Sequence, residues 1–330
     1  MGTIFSLAVL GSIIGTQAAP PAEALLLGVR QGVPGNAFGV EPPEPLTTFW
    51  VDEYGFAEVD KGLYLPREDG WWRVTHERVA KGDFSNEALV VWRLTRRKPG
   101  PPPAADRSMF DYCTGPGDGC FMSSGMTLLF VGQDHIATLD SEHWRGGGSP
   151  THLNTLAMRP LAPTTQFQSR EEGLPIGGVL GAKTAAEFTR AANQAADEYG
   201  GKVLDYTWAL ARSQGRWVVR GGVMFAGRNA AHTEFFTIPG VKTGAFVPNQ
   251  KPTDGWYDLE GKHPGLYDAV ASPSGRLQVL VFADRMELWV DGALKDARPR
   301  ADLGVVMTRW TKGAQIDQWR RMLIAEPSIR

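Results

Sequence analysis

Ala88 to Leu94 is a nearly continuous apolar run with Val90, Val91 and Trp92 at its centre, the pattern of a short strand covered on both faces. Upstream, apolar groups at Phe49 to Val51, Gly62 to Leu65 and Trp71 to Thr75 alternate with turn-forming residues, which predicts a succession of strands from Leu25 to Leu94. Lys98 to Ala105 then carries four prolines and a glycine. Proline cannot donate to a ladder, so residues 98–107 read as a linker or long loop. It separates a β-rich part, residues 25–97, from residues 108–330, and the two parts either form one domain or stand as two lobes.

Beyond the linker the two-residue period returns. Met126 to Val131 and His135 to Trp144 read as a hairpin across Gly132-Gln133-Asp134, Tyr206 to Arg212 and Arg216 to Arg220 as another, and Arg276 to Phe282 with Arg285 to Val290 as a third. Between them the period changes to that of a helix. Thr184 and Glu187 are spaced as a capping box, and Phe188, Ala191, Ala192, Ala195 and Tyr199 share one face before Gly200-Gly201, so a helix is expected near 184–199. Val241 to Gly255 reads as a loop, and Ile316, Trp319 and Leu323 have the spacing of a short C-terminal helix.

These elements predict a mainly β protein of antiparallel sheets with one packed amphipathic helix. Trp72, Trp144, Trp217 and Trp289 lie about 72 residues apart, each on the return strand of an expected hairpin, which suggests an irregular β-propeller as one architecture and two β-rich lobes as the other.

The start of the chain carries an address. Ile4 to Gly15 is apolar and uncharged, followed by Thr16-Gln17-Ala18 and Ala22-Glu23-Ala24, small-residue patterns after which a signal peptidase cuts. No Lys or Arg precedes the run, and the first basic residue is Arg30. Residues 1–24 are therefore expected to be a signal peptide, cut after Ala18 or Ala24, that sends the protein to the periplasm or the medium. A leader kept as an anchor is the alternative. Two cysteines, Cys113 and Cys120, flank Thr-Gly-Pro-Gly-Asp-Gly and in an oxidising compartment would close a disulfide loop.

Composition narrows the function. A net charge of −2 gives no long-range attraction to nucleic acid, and the scattered six histidines offer no metal-binding pair. Asp111 and Asp118 could hold Ca²⁺ only weakly. Gly177 to Thr184 departs from a phosphate-binding loop where Ala182 replaces the glycine before Lys183. Ser123, Ser124 and His232 lack a nucleophile-elbow context. No pattern calls for a cofactor.

Two groups remain. On a strand, Asp140, Glu142 and Trp144 share one face, and the carboxylates would stand roughly 6.6 Å apart, within the span that flanks a glycosidic bond and a water. Trp256 and Tyr257, between Asp254 and Asp258, offer rings that stack on sugars. The expected function is recognition of a ligand or partner outside the cytoplasm, a glycan or an extracytoplasmic protein, through Trp144, Trp256 and Tyr257. The alternative is a secreted glycan hydrolase using Asp140 and Glu142.

Overall fold

The computed structural model describes residues 23–32, 45–81, 84–94, 103–104, 121–144, 151–163, 173–199, 202–226, 231–244, 246–247, 255–300 and 303–323. Among these, side chains are described except at 79–86, 121–124, 142–144, 151–153, 198–199, 202, 226 and 231–232. The expected leader up to residue 22, Asp254, the pair Cys113 and Cys120, and most of the proline-rich stretch lie outside the described residues.

The protein is mainly β, with its strands in four sheets. The first sheet joins the two ends of the described chain. Strand β1 (Glu23–Gln31) lies between β17 (Leu303–Lys312) and β2 (Leu46–Asp52), with β3 (Gly55–Lys61) at the edge, all antiparallel. Leu25, Leu27 and Val29 point to one side, Ala24 and Leu26 to the other, and each set is buried in a different apolar cluster. A strand covered on both faces needs this uninterrupted apolar run. Burying each leucine fully contributes roughly 1.5–3 kcal/mol. Gly28 has a steric reason: a Cβ there would stand 2.7 Å from Cβ of Met307, beside the register shift between Gly28 and Val29.

The second sheet runs in chain order through β4 (Leu63–Arg67), β5 (Gly70–Lys81), β6 (Phe84–Arg93), β7 (Phe121–Val131), β8 (His135–Trp144) and β9 (Thr151–Pro160). Ala88 to Val91 are buried throughout, as their apolar run predicts. The pairing of β6 with β7 is parallel and brief, Ser85 against Ser123 and Asn86 against Ser124. The proline-rich stretch therefore connects neighbours within one sheet, and with β17 paired to β1, residues 25–97 and 108–330 share two sheets.

The third sheet is β10 (Lys202–Ser213), β11 (Arg216–Ala226) and β12 (Ala231–Ile238). Helix α1 (Ile176–Leu180) and helix α2 (Ala182–Tyr199) cover it, with Phe188, Ala192 and Ala196 buried. The apolar face is the one the spacing predicts, but α2 starts two residues before Thr184, which lies in its first turn. The near-match to a phosphate loop is spent on these helix starts. The fourth sheet, β13 (Leu266–Ala271), β14 (Leu277–Phe282), β15 (Arg285–Val290) and β16 (Ala293–Pro299), carries the short helix α3 (Trp256–Lys262) against it. Helix α4 (Ala314–Leu323) follows β17 and buries Ile316 and Trp319.

The first sheet is a middle layer. One face packs on β4–β8 and α4, the other on the fourth sheet. The third sheet packs instead on the far side of β7–β9. Four, six, three and four strands do not divide into uniform blades. Nor are the four spaced tryptophans equivalent: Trp72 and Trp217 lie near the start of their strands, Trp144 and Trp289 at or near the end. The regular spacing has no counterpart in position along a strand. None of the described helices is long and apolar enough to cross a membrane.

Candidate functional site

All four sheets contribute to one cleft of about 470 Å³. The first sheet supplies Arg30, Gly304 and Val305, the second Leu129, Leu139, Asn154 and Leu156. The third supplies Ala211 to Gln214, Arg220 and Phe235, and the fourth Tyr267 and Asp268. Leucines and Val305 make an apolar lining, and the arginines add charge to it.

Each polar group is placed by its strand. Arg30 stands directly across from Gly304 in the β1–β17 ladder, and the glycine makes room for it: a Cβ at 304 would come within 2.9 Å of the guanidinium nitrogens Nε and Nη2. Arg30 Nη1 donates to the Gly32 carbonyl at 2.7 Å. Arg212, near the end of β10, reaches to the fourth sheet, where Nε and Nη2 donate to the two Asp268 oxygens at 2.9 and 2.8 Å. Nη2 also donates to the Ala269 carbonyl, and the guanidinium lies 5.2 Å from the Trp217 ring. Its third nitrogen, Nη1, is buried and has no hydrogen-bond partner among the described residues.

The β10–β11 turn sets this geometry. Gln214 and Gly215 both have positive φ, 49° and 74°, and Ser213 pairs with Arg216, the two-residue turn that matches strand twist. Glycine adopts that conformation freely, while glutamine is held in it at a cost. Gly215 then donates its N–H to Asp268 at 3.0 Å, and the Ala269 N–H adds another bond at 2.8 Å. Asp268 thus accepts four hydrogen bonds and is buried.

The rim is aromatic. Phe235 and Tyr267 are two of the five large hydrophobic side chains exposed among the described residues, and both border this cleft. Arg220 is exposed beside them. Asn154 anchors the second-sheet wall through bonds from Ser141 Oγ to its Oδ1 and from Thr233 Oγ1 to its carbonyl. Counting the described lining, three arginines face a single carboxylate. Such a surface favours anions, and its rings and amide suit flat or ring-shaped ligands.

The residues singled out from the sequence lie elsewhere. Asp140 is on β8, as expected, but only 2 % exposed. Its Oδ2 accepts from Arg159 Nη2, and Arg159 Nη1 donates to Thr138. Burial pushes its carboxyl above the ordinary value, against the pull of the Arg159 guanidinium and the hydrogen bond from Thr138. The neighbouring Leu139, on the opposite face, lines the cleft. The side chains of Glu142 and Trp144 lie outside the described residues; their backbones pair with Leu153 and Thr151. The backbones of Ser124 and His232 are in different sheets.

Trp256 is 6 % exposed and packs with Leu266, Leu280 and Phe282, so its ring fills the core between α3 and the fourth sheet. Tyr257, next in the helix, is 80 % exposed. The two do not form a common stacking surface. Sequence reasoning missed Arg30, Arg212 and Asp268. The only local signal was the Ser-Gln-Gly turn, since the rest depends on which sheets meet. No protein family, curated protein or solved structure matches the chain.

Proposed function

We propose that the protein is a binding module acting outside the cytoplasm, and that it seats an acidic glycan in the four-sheet cleft. The observation that carries this reading is the combination of an arginine excess with an exposed aromatic rim. Phe235 and Tyr267 would stack on the apolar faces of sugar rings, while Arg30, Arg212 and Arg220 would meet carboxylates or sulfates and Asn154 a hydroxyl. The apolar leader and its small-residue cleavage patterns support the extracytoplasmic address.

Binding is favoured over hydrolysis by the state of the one carboxylate. Asp268 accepts four hydrogen bonds, two of them from Arg212. Its oxygens are thereby committed to joining the third and fourth sheets. Asp140, the acid expected from sequence, is buried beside Arg159 and does not line the cleft.

The test is a titration of uronate-containing and sulfated oligosaccharides against their neutral counterparts, using chain from Ala19 onward. Acidic oligosaccharides are expected to bind and return intact by mass spectrometry, with affinity falling as salt rises. Tyr267→Ala and Arg220→Gln should each weaken binding several-fold, from the loss of about 0.5–1.5 kcal/mol of stacking or a charged contact. Equal affinity for neutral and acidic sugars, or unchanged affinity in both variants, would remove this cleft from the reading.

A further inference from the structure

A second cleft, of about 440 Å³, opens between α4 and the β4–β5 turn. Its residues come from elements the first cleft does not use, apart from β17. Trp71 on β5 and Trp319 on α4 stand edge to face, with centroids 5.7 Å apart and planes at 77°. Gln133 from the β7–β8 turn and Gln315 and Gln318 from α4 add amides. Arg309 of β17 completes it.

Arg309 is the unusual member. It is 7 % exposed, yet it makes no ion pair and no hydrogen bond among the described residues, and its Nη2 is buried without a partner. The nearest charges do not compensate it. Arg67, which also lines the cleft, stands 3.6 Å from Asp69 and 3.5 Å from Asp134 and donates to the Leu161 carbonyl at 2.9 Å, while Glu68, a carboxylate in the same lining, makes no ion pair with Arg309. Next along the strand, Trp310 borders the cleft, but its ring turns to the opposite face of β17, into the cluster shared with the fourth sheet. Burial pulls the Arg309 pKa down to about 10, with Arg67 adding to the effect and Asp134 opposing it.

A buried donor without a partner is costly, and more so when it is charged. A buried cation without a partner, at an opening beside the aromatic rings of Trp71 and Trp319, describes a place left for an acceptor. The planar fork of a guanidinium matches a carboxylate, and the indoles match a ring attached to it.

We propose that this cleft is a second ligand site, for a carboxylate carried on a ring, with Arg309 as the anchor of the anion and Trp71 and Trp319 as the bed of the ring. It is separate from the four-sheet cleft and does not rest on the acidic-glycan reading.

The experiment titrates chain from Ala19 onward with D-glucuronate and with benzoate, a saturated and an aromatic ring bearing a carboxylate, using D-glucose as the neutral control. Heat is followed by calorimetry, and the Trp319 indole N–H by NMR, assigned through Trp319→Phe. At least one carboxylate is expected to saturate and to shift the Trp319 signal, while glucose does neither. Arg309→Gln should weaken binding at least tenfold and Gln318→Ala, at the exposed rim, several-fold. Arg309→Lys, which keeps the charge but loses the fork, should fall between. Arg220→Gln in the other cleft should leave the benzoate-induced shift of the Trp319 signal unchanged. Absence of saturation by both carboxylates, equal binding of glucose, insensitivity to Arg309→Gln, or loss of the benzoate-induced Trp319 shift with Arg220→Gln would each overturn the assignment. A circular-dichroism spectrum like that of the unaltered protein shows that each variant is folded, and Gln318→Ala tests the site without touching a buried residue.

Discussion

Replacing Asp268 by asparagine tests how the third and fourth sheets are held together. The side chains of Arg212 and Asp268 are 7 % and 3 % exposed, so neither charge is well solvated. Asparagine keeps the volume and one carbonyl oxygen, but turns an NH₂ group toward donors. Arg212 would then be a buried cation without its counter-charge, and one of the four bonds to the side chain would become a donor–donor clash. Removing one partner of a buried pair costs about 3–5 kcal/mol. At a urea slope near 3 kcal/mol/M, the midpoint should fall by roughly 1–1.7 M with an unchanged slope. Tryptophan fluorescence is a suitable readout, because Trp217 lies against Arg212. Removing both charges, as in Arg212→Met with Asp268→Asn, should cost less than the two single changes added, by at least about 1 kcal/mol. A loss under about 1 kcal/mol in Asp268→Asn, or strict additivity in the double variant, would refute the view that this pair joins the sheets.

Four other outcomes are expected. Arg309→Met should raise stability by about 1–3 kcal/mol in urea unfolding, since it removes a desolvated cation that has no partner; because the folded-state pKa is lowered to about 10, the charged form opposes folding at lower pH, and the penalty should shrink as pH rises above that value. Glu87 is held below its ordinary 4.5 because hydrogen bonding and charge from His76 and the Met126 N–H outweigh burial. Its stabilisation is thus complete above about 4.5 and lost as pH falls through the folded value, and Glu87→Gln should flatten that acid limb in unfolding measured against pH. Trp256→Ala should cost about 3–5 kcal/mol as a core cavity, whereas Tyr257→Ala should stay within about 0.5 kcal/mol, both by thermal or urea unfolding. On the proposed export, mass spectrometry of the mature protein should find a terminus ahead of Glu23: a chain beginning at Leu25 loses buried Ala24 and the bonds from Ser274 to Glu23, and should be about 2 kcal/mol less stable than one beginning at Ala19.

Local signals account for the parts of the fold that were legible. The hairpin β7–β8 follows from Gly132-Gln133-Asp134, where Gly132 N–H meets the His135 carbonyl at 2.8 Å, and β10–β11 from Gln214-Gly215. The apolar face of α2 follows from the spacing of Phe188, Ala192 and Ala195. What could not be read is pairing at a distance: β1 with β17, β6 with β7, Arg212 with Asp268. The candidate site was illegible for the same reason. Asp140 and Trp256 stand out in sequence as a charge and a ring, but their burial depends on Arg159 in the next strand and on a sheet that starts ten residues downstream. Residues that build the cleft, such as Arg30 and Gly304, are unremarkable until the ladder puts them opposite each other.

The pairing of β1 with β17, Glu23 against Lys312 at one end and Gln31 against Leu303 at the other, also dictates an order of events. The middle sheet cannot be finished until residues 303–312 have been synthesised. Until then Leu25, Leu27 and Val29 have no β17 beside them, and the layers on both sides lack a shared neighbour. Closing a loop of roughly 280 residues costs about 5 kcal/mol of chain entropy, recovered only when the ladder forms, so folding should be slow and late. A nascent chain of this kind stays pliable while it is being made and becomes rigid only once its final strand arrives.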